Sequence, residues 1–187
     1  MGASVSHTRL LVVVACALLA GAGFAMRFGL SGETLQYLVL TGLLAWASLE
    51  DLRSRRIPNP CVAAAATVRL AWLVALVCMG KASVGEIGYY VASGVGVGVA
   101  LLLFALAFER LTGREGMGGG DVKLYAVAGL YLGVELALVV VLLSCVFALA
   151  AAFLTRRSHT GEGGFSRALP FGPAIAVAFV VTALATA

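Results

Sequence analysis

The sequence predicts an all-α, polytopic membrane helix bundle of about seven transmembrane helices with a cytoplasmic N-terminus. Three observations predict it. Of the 187 residues, 61% are apolar and only 12% charged, whereas a soluble domain is nearer 45–50% apolar and about 25% charged. The mean hydropathy is +1.04. The apolar residues also fall into long runs separated by short charged or glycine-containing breaks, the pattern of a chain that crosses hydrocarbon repeatedly.

The runs occupy about 9–29, 34–50, 60–79, 87–108, 121–133, 134–154 and 169–186, most of them near the ~20 residues a helix needs to cross ~30 Å. The first resembles a signal peptide, but it is long enough to span and precedes a polytopic chain, so it is read as a retained extra helix over 1–30. The "MGASVS" start, with Gly2 and Ser6, fits a myristoylation pattern, which a polytopic chain does not need. The second run ends in "WASLEDLRSRRIPNP". There Pro58 and Pro60 break the chain, and Asn59 is expected to cap the third helix. Arg69 falls inside that third run, where a charge is costly unless paired or snorkelling; the sequence names no partner. In the fourth run Gly94 and Gly98 form a G-x-x-x-G pair suited to close helix approach. The fifth run is short and is split from the sixth by a tight turn marked by Gly129, Gly133 and Glu135. Pro170, Gly172 and Pro173 shape the entry of the seventh. No soluble linker is visible, so residues 1–187 read as one integral-membrane domain, with 34–187 as its functional bundle.

The net charge is +4, but the cations cluster between apolar runs, which sets orientation rather than a nucleic-acid surface. With all seven runs crossing, the cytoplasmic side holds Arg9, Arg53, Arg55, Arg56, Arg110, Arg114, Lys123, Arg156, Arg157 and Arg167. That is ten of the thirteen Lys and Arg residues, against Arg27 and Lys81 outside. If the fifth run did not cross, the cationic loop after the sixth would move outside. The four cysteines (Cys16, Cys61, Cys78 and Cys145) lack C-x-x-C spacing and read as small buried hydrophobes. His7 and His159 have no ligand spacing, so no metal site is expected.

The only two aspartates, Asp51 and Asp121, lie at the same expected face, one closing the second helix and one opening the fifth. Carboxylates at a hydrocarbon boundary are costly and usually placed for function. Two that meet cannot both ionise easily and tend to share a proton. One can then take a proton from water while the other protonates a scissile carbonyl, the logic of aspartic proteolysis. In "GMGGGDVKLY", Gly118, Gly119 and Gly120 remove bulk so that a substrate backbone can approach, and free the chain to turn before the helix. Taken singly, Asp121 also suits a helix cap and Asp51 a partner of the "RSRR" arginines.

The motifs resemble a known family. "D-x5-I-P-N" from Asp51 to Asn59, "GGGDVK" at 118–123 and "LPFGPAIA" at 169–176 are similar, in order, to motifs of the type IV prepilin and preflagellin peptidases, GxGD aspartic membrane proteases. The resemblance implies an inner-membrane endopeptidase that cuts the basic leader from pilin-like precursors at the cytoplasmic face, with Asp51 and Asp121 as the catalytic pair. It implies supporting roles for Gly118, Gly119, Gly120, Lys123, Pro58, Asn59, Pro170, Gly172 and Pro173, and no metal or cofactor for proteolysis. Larger relatives carry a cytoplasmic insert with C-x-x-C pairs and also N-methylate the new terminus from S-adenosylmethionine. The short loop between the first two runs resembles the small form without that insert, and S-adenosylmethionine is expected only if this chain methylates. The expected partners are a prepilin-like precursor and membrane lipid, not nucleic acid. Glu50, Glu109 and Glu115 are acidic groups on the same face that could attract a basic leader.

Two other functions use the same residues. A proton-coupled transporter employs intramembrane carboxylates as a relay, but no internal repeat is visible and both aspartates lie at one face rather than mid-bilayer. A non-catalytic assembly scaffold would not need the intact pair.

Overall fold

The computed structural model describes residues 7–29, 31–113, 116–158 and 171–186. The myristoylation pattern, Arg114, Glu115, His159, Arg167 and Pro170 lie outside these residues, as do the side chains of His7, Arg9, Arg156 and Arg157.

The described residues form seven helices and no strand: α1 His7–Phe28, α2 Gly32–Ser54, α3 Asn59–Cys78, α4 Val84–Thr112, α5 Gly119–Leu132, α6 Val134–Ser158 and α7 Gly172–Thr186. Their boundaries follow local chemistry. Ser31 caps α2 by accepting from the Thr34 N–H, and Ser83 with Glu86 closes a capping box on α4. Gly113 ends α4 with φ 66°, a left-handed cap that glycine adopts at little cost. The α5–α6 turn is a single residue, Gly133 at φ 84°, which explains how two helices reverse within one position. Asn59 does not cap α3. The capping residue is Pro58, with no side-chain hydrogen bond, because the Asn59 side chain is engaged elsewhere.

Among the described residues, four helices are long and apolar enough to cross a membrane: Leu10–Phe28, Asn59–Cys78, Val84–Thr112 and Val134–Leu154. α2 has 23 residues but carries Thr34, Gln36, Thr41 and Ser48, all buried inside the bundle. At 14 and 15 residues, α5 and α7 reach only about 21–23 Å, short of the ~30 Å hydrocarbon layer. α5 is also the most enclosed, burying Val122, Leu124, Tyr125, Val127, Ala128 and Tyr131 among α3, α4, α6 and α7. Large apolar side chains such as Leu18, Leu19, Phe104, Leu142 and Leu149 point outward, as lipid-facing positions do.

Small residues bring α4 and α5 together. A Cβ on Gly94 would sit 2.9 Å from the Ala126 carbonyl and one on Gly98 3.0 Å from the Ala126 Cβ, while one on Gly129 would come 2.8 Å from the Ser93 carbonyl, so the two helices approach closely at small residues. Arg69 is buried and fully engaged. Its Nε donates to the Leu130 carbonyl at 3.2 Å, Nη2 to the Tyr131 carbonyl at 3.0 Å and Nη1 to Gln36 Oε1 at 3.2 Å. The guanidinium also lies over the Tyr90 and Tyr131 rings. The cysteine expectation is corrected: Cys61 is buried, whereas Cys16, Cys78 and Cys145 are exposed, because apolar runs in a membrane bundle have an outer face as well as an inner one.

Candidate active site

One end of the bundle gathers the last turn of α2, the first turns of α3, α5 and α7, and the α2–α3 loop. Between them is a cavity of about 280 Å³ lined by Asp51, Arg55, Arg56, Ile57, Gly118, Gly119, Gly120, Asp121 and Lys123. A water occupies about 30 Å³, so the space admits water together with part of a peptide. The two aspartates, seventy positions apart, thus line the same cavity.

The chain path explains the meeting. α2 continues through Ser54, so Asp51 sits in its last turn, and Arg55 ends the helix in the left-handed region (φ 53°) with its N–H on the Asp51 carbonyl at 3.0 Å. That conformation costs a non-glycine residue about 1–2 kcal/mol, and it turns the loop back over the cavity. Ile57 then packs on the glycine run: a Cβ on Gly120 would lie 3.0 Å from the Ile57 Cβ. Lys123 Nζ donates to Asn59 Oδ1 at 2.7 Å, tying the first turn of α5 to that of α3. Gly118 has an ordinary extended φ of −68°, and no residue of 118–120 has positive φ. The chain bends at Met117, directly before them, and Gly119 leaves open space beside the helix start.

Asp51 is buried and Asp121 half-buried. The N–H of Gly172, the first residue of α7, donates to Asp51 Oδ2 at 2.8 Å. A Cβ on Gly172 would come within 3.0–3.2 Å of the Asp51 Oδ2, Cβ and Cγ, so only glycine brings α7 this close. Both carboxyls lie at helix ends, Asp51 in the last turn of α2 and Asp121 in the first turn of α5. Burial raises the pKa of Asp51, while the Gly172 N–H and the Arg55 charge pull it back. Asp121 is pushed up to about 6, first by burial and then by the Asp51 charge, with the Gly118 amide working against both. Such a pair readily holds one proton between two sites.

Asn59 reaches the cavity through its contact with Lys123, whereas Pro58, Gly172 and Pro173 do not line it. Glu50 and Glu109 do not line it either: its charged residues besides the aspartates are the cations Arg55, Arg56 and Lys123. A composition-based search for acidic groups on the right face could not tell the cavity from the rim. Ile57 lay within the quoted motif, but nothing in its chemistry announced a contact sixty-three positions away. Among the described residues, no group of three His, Cys, Asp or Glu side chains comes together.

The chain matches the type IV leader peptidase family over residues 38–153, more than half its length, which takes in both aspartates. It is 35% identical over 183 residues to a prepilin leader peptidase/N-methyltransferase of Stutzerimonas stutzeri, an alignment covering 94% of this chain and 58% of that protein. It is 34% identical to one of Aeromonas hydrophila, covering 82% of this chain and 50% of that protein. To one of Bacillus subtilis it is 31% identical, covering 92% and 63%. The chain thus spans roughly half to two-thirds of these curated relatives. No solved structure gives a significant match.

Proposed function

The chain belongs to the type IV leader peptidase family, and on that premise we propose that it is an aspartic endopeptidase that removes the basic leader from type IV pilin-like precursors. The observation that carries the reading is the placing of Asp51 and Asp121 on one wet cavity, with Asp121 held near half-protonation at a pH of about 6. In this mechanism one carboxylate takes a proton from a water molecule, whose oxygen adds to the scissile carbonyl carbon. The other carboxyl gives its proton to the carbonyl oxygen, forming a gem-diol. Collapse breaks the C–N bond, the proton passes from the first carboxyl to the leaving amine, and the second recovers its own. Open space around Gly119, where an added Cβ meets nothing within 4 Å, suits an approaching peptide backbone.

In this reading the aspartate face is the cytoplasmic face of an inner-membrane protein, which the cation bias of the loops on that face supports. Lipid surrounds the outward apolar belt. Proteolysis in this reading uses only the chain's own carboxyls. The longer relatives are also N-methyltransferases by name; S-adenosylmethionine would be needed by this chain only for that second activity.

The test is co-expression with a precursor bearing a basic leader. The wild-type chain is expected to yield the shortened product, and Asp51→Asn and Asp121→Asn to insert normally but leave the precursor intact. Normal cleavage by either variant would refute the pair.

A further inference from the structure

We propose that the N-terminus of α7 is a positioning device for Asp51: the Gly172 N–H fixes one carboxylate oxygen, making Asp51 the base that activates water and leaving Asp121 as the proton donor. The inference rests on the peptidase reading and assigns the two roles within it.

Three observations carry it. The hydrogen bond is short, at 2.8 Å, buried and aimed at Oδ2. An N–H donates only, so it favours an ionised acceptor. It comes from the first residue of a 15-residue helix, where the peptide dipoles present partial positive charge. Finally, the approach leaves no room for a side chain at 172, with Asp51 atoms at 3.0, 3.1 and 3.2 Å from a built Cβ. Among the described residues, Asp121 has no comparable interhelix donor; its backbone partner is Gly118, from its own turn.

The other groups facing Asp51 are consistent with the division. Its own helix ends in Arg55 and the loop adds Arg56; α5 contributes Asp121 and Lys123; α7 contains no titratable side chain; and α3 presents Asn59. The described cations therefore favour an ionised carboxylate, and one proton belongs on the more weakly supported partner. In the cut itself, Asp51 carboxylate accepts the water proton as the C–O bond forms, and Asp121 carboxyl protonates the carbonyl oxygen. Asp51 carboxyl then protonates the departing nitrogen as the C–N bond breaks, and the gem-diol returns a proton to Asp121.

Two measurements test the assignment. Gly172→Ala must push the Asp51 carboxylate aside. The cleavage rate constant is expected to fall on the order of 10–100-fold with the precursor KM little changed, and the acidic limb of the pH–rate profile to move to higher pH as Asp51 loses its donor. An unchanged profile and rate would overturn the proposal. The second measurement needs no Gly172 variant: infrared difference spectra of Asp51→Asn and Asp121→Asn in lipid at pH about 5.5, roughly a unit above the ordinary glutamate value. The protonated-carboxyl band is expected to persist in Asp51→Asn and to vanish in Asp121→Asn. The reverse pattern, with cleavage lost in both, would overturn the role assignment and leave the peptidase reading intact. Normal cleavage by both variants would instead remove the peptidase reading itself.

Discussion

Each of the three glycines before Asp121 answers to a different neighbour. Gly118 lies beside the Asp121 carboxylate, Gly119 faces open space, and Gly120 accepts Ile57. Their shared property is a missing Cβ, and the chain bends just before them, at Met117. The same limit shows at Asn59. An asparagine before a helix commonly caps it, and only the fold reveals Lys123 from α5 claiming its oxygen. At this scale Asp121 is the residue whose chemistry conflicts with stability. Its pKa is raised from 3.8 to about 6, so its contribution to stability is fully present below the lower value and lost as pH rises through the higher one. Asp121→Asn is therefore expected to unfold at a higher temperature than wild type at pH about 7.5, with the gap closing near pH about 4; detergent-phase thermal melts measure this. With Asp121 as proton donor, kcat/KM of the wild type should fall as pH rises through about 6.

Among the helices, α5 decides the most. It carries Asp121 at its start and is only 14 residues long, so its C-terminal carbonyls end among buried residues of the bundle. Backbone groups stranded there are costly, and Arg69 supplies the donors for Leu130 and Tyr131. A cation at a helix C-terminus is also favoured by the dipole. The sequence marked Arg69 as anomalous but could not name its partners, because two of them are main-chain carbonyls 61 and 62 positions away with no residue-type signature. The glycine pair of α4, by contrast, was readable because small residues at a spacing of four state their purpose. Arg69→Met keeps the volume and removes the donors. Each carbonyl left unpaired costs roughly 1–3 kcal/mol, so the variant is expected to melt markedly lower, with Arg69→Lys intermediate. Equal melting of all three would mean that water or other groups satisfy that end of α5.

The helix order and a break at Gly133 were legible in the whole chain, since hydropathy and glycine spacing report backbone environment directly, whereas Gly129 and Glu135, also read as turn markers, lie inside α5 and α6. Which cysteines face lipid, and which acidic residues reach the cavity, were not, because both depend on helix rotation. At this scale the central claim is that helix ends far apart in sequence converge on one cavity, which the proposed function puts on the cytoplasmic face. The most direct measurement places cysteine at both 51 and 121 in a chain with Cys16, Cys61, Cys78 and Cys145 replaced by alanine. A short, membrane-impermeant bis-thiol reagent is then applied to intact cells or to inverted inner-membrane vesicles. The expected result is an intramolecular cross-link in inverted vesicles and none in intact cells. Efficient single labelling without a cross-link, or reaction from the outside of intact cells, would contradict the account.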